Sequence, residues 1–213
     1  AVRRANYLSA PTFTDNDLMV NSYGLPECID WVEEESGWKT RKGKLAAPEP
    51  GKKKGLGFAC SHYISGASKP VNWTGEPHAT VKLKLDFDGS IVVLSGAADI
   101  GQGSNTLLTQ VVAEVLLLPM GPGGRIRVVA ADSALTPKDN GSYSSRVSFM
   151  VGNAALRAAE ALKRVLIEAA ARELKVDPAA IEWFGERCTV AGDDARGIDF
   201  AQAVRAALDE SGT

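Results

Sequence analysis

The chain has 213 residues, of which 45% are hydrophobic and 23% are charged, the proportions of an ordinary soluble globular protein. Its 24 Lys and Arg residues nearly balance its 26 Asp and Glu residues, giving a formal net charge of −2. Nucleic acid and anionic membrane surfaces both bind concentrated basic fields, so neither is expected as a partner. The sequence also lacks a run of roughly 20 apolar residues that would cross a membrane.

The first fifty residues differ in pattern from the rest. Residues 1–7 suit a helix, and so does the segment from Pro26, which fits a first helical turn, to a stop at Gly37. The next segment, Lys39–Lys54, is basic and proline-containing, and it predicts an exposed linker. We place a domain boundary near residue 50. Because both ends of the chain look cut, we expect it to be a piece of a longer protein.

Strands are predicted after the linker. Leu56–Ser65 is β-like, and His78–Phe87 alternates apolar and polar residues with a period of two. Asp88-Gly89 accepts the positive φ angles of a two-residue turn, so a return strand is expected at Ile91–Leu94. These residues predict a β-hairpin.

Helices and strands then alternate along the chain. Ser104 or Asn105 is expected to cap a helix over Thr106–Leu118. A short buried strand at Arg125–Ala130 and a long polar loop at Asp132–Ser145 follow. The next helix spans about residues 151–174, with a predicted buried stripe of Leu156, Ala159, Leu162, Val165, Leu166 and Ala169.

The end of the sequence predicts a second hairpin and a last helix. Ile181–Phe184 and Arg187–Val190 are the strands of the hairpin, and Asp193-Asp194 is expected to be a solvated pair in a turn. Asp199 is expected to cap a helix over Phe200–Leu208. The resulting order β-β-β-α-β-α-β-β-α indicates a mixed α/β (α+β) fold.

The cysteines Cys28, Cys60 and Cys188 are far apart and form no Cys-x-x-Cys pair. Neither a structural zinc site nor an iron–sulfur cluster is therefore expected from this chain. Reduced thiols in a cytoplasmic protein explain such cysteines best. His62 and His78 have no partner at metal-ligand spacing, so no metal ligand is predicted.

A loop of small residues, Ser95–Asn105, joins a predicted strand to a helix start. Free backbone N–H groups and the positive end of the helix dipole meet at such a place. Gly101 and Gly103 lack a Cβ and would let a ligand approach the backbone. Gln102 between them would project an amide that donates and accepts hydrogen bonds. A tight turn with a surface glutamine is the alternative explanation.

A second loop, Asn140–Ser148, precedes the long helix. Hydroxyls of Ser144, Ser145 and Ser148 and the guanidinium of Arg146 suit a phosphate or pyrophosphate at a helix start. The alternative is an elaborate helix cap in which Arg146 forms a salt bridge.

Two anion-receptive helix starts in one domain suit an elongated ligand that carries a diphosphate. The Gly-x-Gly-x-x-Gly and P-loop motifs are absent, as is the Gly-x-Ser-x-Gly elbow of serine hydrolases. A Rossmann dehydrogenase and a P-loop NTPase are therefore disfavoured. No general base is identified by spacing.

Both loops resemble segments of the xanthine dehydrogenase and aldehyde oxidoreductase family of molybdenum enzymes. Residues 96–106, with Gly101-Gln102-Gly103, are similar to the family's molybdenum-proximal loop. Residues 143–148, followed by Gly152-Asn153-Ala154, are similar to its pterin-dinucleotide loop. Residues 21–28, 75–81 and 131–146 resemble members that act reductively on an aromatic acyl-CoA.

The resemblance implies the tail of one molybdenum-binding domain in residues 1–50 and part of a second in residues 51–213. It implies molybdenum with molybdopterin cytosine dinucleotide as the cofactor. It also implies partner subunits that carry iron–sulfur clusters and FAD, and a ferredoxin-type protein that donates electrons to them. The general base would lie outside this chain. Gln102, flanked by Gly101 and Gly103, would hydrogen-bond an oxo ligand of the metal, and Ser144, Ser145, Arg146 and Ser148 would hold the dinucleotide phosphates.

The implied activity is reductive removal of a ring hydroxyl from an aromatic acyl-CoA substrate in anaerobic aromatic degradation. A same-family hydroxylase of aldehydes, CO or N-heterocycles stays open, because it would share the cofactor loops. A non-catalytic module that merely kept an anion-binding fold is a further alternative. By the same resemblance, the chain alone is expected to be inactive.

Overall fold

The computed structural model describes residues 1–15, 17–47, 49–61, 63, 65 and 77–211. The chain divides into two compact units, residues 1–63 and 64–213, each described by itself below. The division falls after residue 63, whereas the composition of the linker suggested a boundary near residue 50.

The first unit is built from short elements. They are α1 (Val2–Ala5), β1 (Thr12–Phe13), β2 (Met19–Val20), α2 (Leu25–Glu35) and α3 (Trp38–Arg41). Pro26 lies in the first turn of α2, and the helix ends just before Gly37, whose φ is 60°, as the sequence predicted. The predicted linker is helical where α3 occupies it.

The strand predicted at Leu56–Ser65 is wrong for the part that the structure describes. Residues 56–61, 63 and 65 adopt no strand conformation, and His62 lies outside the described residues. An extended segment needs a neighbouring strand for its N–H and C=O groups, and a β-like composition does not supply one.

The second unit begins with a sheet of three strands, β3 (Val81–Leu85), β4 (Ile91–Ser95) and β5 (Ile126–Ala130), in that order. The predicted hairpin is confirmed, since β3 and β4 pair antiparallel around the turn. The β4 and β5 strands pair in parallel, and α4 (Ser104–Leu116) forms the crossover. The middle strand is accordingly the most apolar and the most buried of the three.

The long helix α5 (Gly152–Leu174) packs against α4 and against α6 (Phe200–Ser211). Five residues of π-helix, Val147–Val151, precede it. Within the described residues, no helix is both long and apolar enough to span a membrane.

The predicted buried stripe of α5 is partly wrong. Leu156 and Val165 are 37% and 47% exposed, while Ala155, Ala159 and Leu166 are fully buried. Small side chains on the inner face let α5 approach its neighbours closely, so that alanines take the core positions and larger residues lie at the edge.

A second sheet contains β6 (Ile181–Trp183), β7 (Arg187–Val190) and β8 (Asp193–Asp199), all antiparallel. The hairpin of β6 and β7 is confirmed. The Asp193-Asp194 pair is exposed, as predicted, but it lies within β8 and not in a turn, because an edge strand also leaves side chains in water. Asp199 caps α6 as predicted: the Gln202 N–H donates to its Oδ1 at 2.7 Å.

The second sheet is attached to the C-terminal end of α4. Trp183 Nε1 donates to the Leu116 carbonyl at 2.9 Å. Leu117 ends the helix in the left-handed region, with φ of 54°. The turn at Gly185 passes so close that a Cβ there would lie 1.9 Å from the Leu117 carbonyl oxygen. Only glycine fits this contact.

Gly185→Ala is therefore expected to destabilise the protein by at least about 3 kcal/mol, since backbone overlap adds to the strain of a positive φ. Gly192→Ala is the matched control, because Gly192 has a similar φ of 77° with open space around it. It should cost only about 1–2 kcal/mol. Urea unfolding followed by tryptophan fluorescence measures both, and equal losses would contradict the close contact.

Candidate functional site

The loop between β4 and α4 is closed by Asp99. Its Oδ1 accepts hydrogen bonds from the backbone N–H groups of Gly101 at 3.0 Å and Gly103 at 3.3 Å, and its Oδ2 accepts one from Asn105 at 3.2 Å. The expected cap was Ser104 or Asn105, and this expectation is wrong. The Ser104 hydroxyl is buried and has no hydrogen-bond partner among the described residues.

The backbone donors change the acidity of Asp99. Hydrogen bonds from the Gly101 and Asn105 N–H groups lower the pKa of its carboxyl group, because they favour the charged form. A lowered pKa means that the carboxylate stabilises the fold above its unfolded pKa of about 3.9, and that this contribution fades as pH falls through the folded value. The loop therefore keeps its charged cap at neutral pH.

Gln102 lies along its own loop. Its Oε1 accepts from the Ile100 N–H at 2.7 Å, and its Nε2 donates to the Ala98 carbonyl at 3.1 Å. The side chain is exposed, and each end of the amide retains one further hydrogen-bonding position. Gly101 and Gly103 have positive φ angles of 102° and 81°, and a Cβ on either would meet nothing within 4 Å. This face of the backbone is open to a ligand.

The second loop turns sharply before the π-helix. Ser144 and Ser145 follow one another in the left-handed region, with φ of 48° and 53°. For residues other than glycine such angles cost energy and persist only where the surroundings impose them. Ser145 and Ser148 are exposed, and Ser144 is half-buried. Ser144 and Ser145 therefore precede the π-helix that leads into α5, and Ser148 lies within that π-helix.

Arg146 is fully buried, and its guanidinium is held by the protein. Its Nη1 donates to Asp139 Oδ1 and to the Gly141 carbonyl, both at 2.7 Å, and its Nη2 donates to the His78 carbonyl at 2.6 Å. The geometry matches the salt-bridge alternative. In this conformation the guanidinium is not exposed to a phosphate, because its charge is paired with Asp139, which is itself 1% exposed.

The two loops contact each other. Ser142 Oγ donates to the Ala98 carbonyl at 2.6 Å, and Gln102 Nε2 donates to that same oxygen. On the far side of the loop, a Cβ on Gly96 would lie 2.2 Å from the Pro137 carbonyl oxygen. The structure thus brings the two sequence-predicted segments into one surface. Within the described residues, no group of at least three His, Cys, Asp or Glu side chains could hold a metal ion.

A groove of about 770 Å³ adjoins the second loop. Ser148, Gly152 and Asn153 line it from the start of α5, and Gln110 and Glu114 line it from α4. The predicted hydroxyl of Ser148 and the Gly152-Asn153 segment therefore face one continuous depression.

Sequence reasoning missed Asp99 and Asp139, and it gave Ser142 no role of its own among the serines of the second loop. The signal for Asp99 is an aspartate two residues before a Gly-x-Gly at a helix start, the spacing of an Asx-type turn. The pairing of Asp139 with Arg146 spans a loop of irregular backbone, so residue spacing carried no sign of it.

Comparison with known proteins identifies the family. Residues 31–213 match the model of the molybdopterin cofactor-binding domain, so the chain belongs to that family. The xanthine dehydrogenase molybdenum-binding subunit of Escherichia coli O157:H7 is 35% identical over 153 residues. The nicotine 6-hydroxylase large subunit of Paenarthrobacter nicotinovorans is 31% identical over 180 residues.

These alignments cover 71% and 82% of this chain but only 19% and 22% of the two relatives, so the chain spans about a fifth of their length. The fold also resembles that of quinoline 2-oxidoreductase from Pseudomonas putida 86, with a TM-score of 0.56 and 19% identity. That likeness covers 95% of this chain and 26% of the other. Within molybdenum enzymes, the chain is a molybdopterin-binding domain of the xanthine dehydrogenase and CO dehydrogenase type.

Arg146→Met is expected to destabilise the protein by about 3–5 kcal/mol, because it leaves the Asp139 carboxylate buried without its counter-charge. Arg157→Met is the control, since Arg157 lies exposed on α5 and its loss should stay within about 0.5 kcal/mol. Urea unfolding followed by circular dichroism compares them. A similarly small decrease in the free energy of unfolding of both variants would show that the buried pair does not hold the loop.

Proposed function

We propose that this chain is the cofactor-holding part of the molybdenum-binding subunit of an oxidoreductase. The observation that carries the proposal is the contact between the two loops, made through Ser142 and the Ala98 carbonyl, in a chain of the molybdopterin-binding family. Two loops joined in this way present one binding surface to one ligand.

The residues present fit such a cofactor. The exposed backbone at Gly101 and Gly103 has room for a flat polar ring system, since no atom lies within 4 Å of the positions that side chains would take. Gln102 adds the free positions of its amide. Ser144, Ser145 and Ser148 would bind the phosphates with their hydroxyls and with N–H groups at the helix start.

Arg146 would act in this site through the loop rather than on the phosphate. Its bonds to the Gly141 and His78 carbonyls tie the backbone just before the serines to the segment at residue 78. When bound, molybdenum and pterin supply the redox chemistry. The chain itself orients the cofactor and holds hydrogen-bond donors against it.

The resemblance of the loops supports finer assignments. The cofactor would be molybdopterin cytosine dinucleotide, and iron–sulfur and flavin subunits with a ferredoxin-type donor would exchange electrons with it. The complex would be cytoplasmic. Residues 1–50 would belong to one molybdenum-binding domain and residues 51–213 to the next.

For the substrate we propose 4-hydroxybenzoyl-CoA, reduced to benzoyl-CoA with loss of the ring hydroxyl. Residues 21–28 and 131–146 support this assignment by their resemblance to the large subunit of 4-hydroxybenzoyl-CoA reductase; residues 75–76 of the third such segment lie outside the described residues. The second candidate is hydroxylation of an N-heterocycle, which the similarity to nicotine 6-hydroxylase and xanthine dehydrogenase subunits favours.

One purification separates these functions. The complete subunit, isolated with its partners, should contain molybdenum and release a cytosine nucleotide on acid hydrolysis. The same sample is then assayed with 4-hydroxybenzoyl-CoA plus a low-potential donor and, separately, with nicotine or xanthine plus an acceptor dye. If the complex turns over only the heterocycle, the substrate is an N-heterocycle and the assignment of 4-hydroxybenzoyl-CoA is wrong. A complex without molybdenum would refute the enzyme function.

Two substitutions in that complex distinguish a residue that contacts the cofactor from a residue that positions the loop around it. Gln102→Ala is expected to lower turnover more than molybdopterin content, because it removes an amide from the binding face and leaves the phosphate loop in place. Arg146→Ala is expected to lower molybdopterin content more than turnover per bound cofactor, because the serine loop loses its anchor. Cofactor content is measured by fluorescence of the oxidised pterin. Equal cofactor retention in the two variants would contradict both assignments.

A further inference from the structure

A carboxylate of the chain itself fills the N-terminus of α4. Helix starts attract anions through their free N–H groups and dipole, and here Asp99 accepts from the Gly101, Gly103 and Asn105 N–H groups. An external phosphate would have to displace a carboxylate that is covalently tethered beside it. The negative groups of a ligand are thus directed away from this helix start.

The same carboxylate fixes a segment that has little else to fix it. Gly101 and Gly103 both have positive φ, and no atom lies within 4 Å of the positions their side chains would take. Glycine loses more conformational freedom on ordering than any other residue, so two glycines without packing need bonds from elsewhere. The bonds to Asp99 provide them, and together with the bonds of the Gln102 amide to Ile100 and Ala98 they fix where Gln102 lies.

The order imposed by Asp99 reaches the second loop through one carbonyl. Ala98 precedes Asp99, and its oxygen accepts from Gln102 Nε2 at 3.1 Å and from Ser142 Oγ at 2.6 Å. If the turn around Asp99 opened, this shared acceptor would move, and Ser142 would lose its partner.

We propose that Asp99 is a positioning residue of the cofactor site. Its carboxylate serves as a built-in anion that shapes the Gly101-Gln102-Gly103 face for the part of the cofactor that carries no phosphate, and it leaves the phosphates to Ser144, Ser145 and Ser148. The inference rests on the proposed function for the identity of the ligand. The role of Asp99 in ordering the loop stands apart from it.

The test uses Asp99→Ala and Asp99→Asn in the complete subunit with its partners. Asp88→Ala is the matched control, because the Asp88 carboxylate also accepts from a backbone N–H, that of Ser90 at 2.8 Å, but in the β3–β4 turn. Backbone hydrogen exchange at residues 101–105 and pterin content are measured for each variant, with and without added formate.

In Asp99→Ala, exchange at residues 101–105 is expected to accelerate about tenfold, the effect of losing one helix cap. Pterin content should fall by a similar factor. In Asp88→Ala, the exchange rate at residues 101–105 and the pterin content should both stay at the wild-type values. Formate should restore protection in Asp99→Ala by occupying the vacated position. Asp99→Asn keeps the shape of the side chain and loses its charge. Its exchange rate and its pterin content should lie between those of the wild type and those of Asp99→Ala.

Unchanged exchange at residues 101–105 in both Asp99 variants would overturn the proposal. So would faster exchange with full pterin retention, because the loop would then be ordered by Asp99 without serving the cofactor. If the wild-type complex contains no molybdopterin, the proposed function fails, and the exchange and formate measurements still decide whether Asp99 orders the loop.

Discussion

The site depends on one buried charge pair, that of Arg146 and Asp139. Removing two charges from water costs several kcal/mol for each ion, and the pair is tolerated only where hydrogen bonds satisfy both partners. Here the Gly141 and His78 carbonyls take the remaining Nη donors. Two segments of chain, residue 78 and the loop of residues 139–146, therefore meet at one guanidinium, and the two left-handed serines lie within that loop.

The sheet supplies the frame for both loops. Because β4 and β5 are parallel, the loop that leaves each strand emerges at the same edge. The first leads to α4 and the second to α5, and the close approach of Gly96 to Pro137 brings them together there. A pair of adjacent parallel strands thus explains why loops separated by about forty residues form one surface.

Much of this was predictable, and the failures have common causes. The β3–β4 hairpin and α5 followed from hydrophobic periodicity and α6 followed from its Asp199 cap, because those signals are local. The helix α4 was also predicted, although the cap expected for it at Ser104 or Asn105 was wrong. The strand predicted at Leu56–Ser65 failed because a β-like composition does not provide a pairing partner. Arg146 illustrates the limit at the site: its residue type suits a phosphate and a carboxylate equally well. Only the fold determines that Asp139 is the partner it meets.

The carbonyl of Ala98 accepts from both loops at once. Each loop therefore loses its freedom when the chain folds and not when a ligand arrives. The entropy lost in ordering a binding surface is a large part of the free-energy cost of association. Here the loops are already ordered in the folded chain, so binding does not incur that loss. A ligand that docks on this surface therefore retains more of its contact energy as affinity.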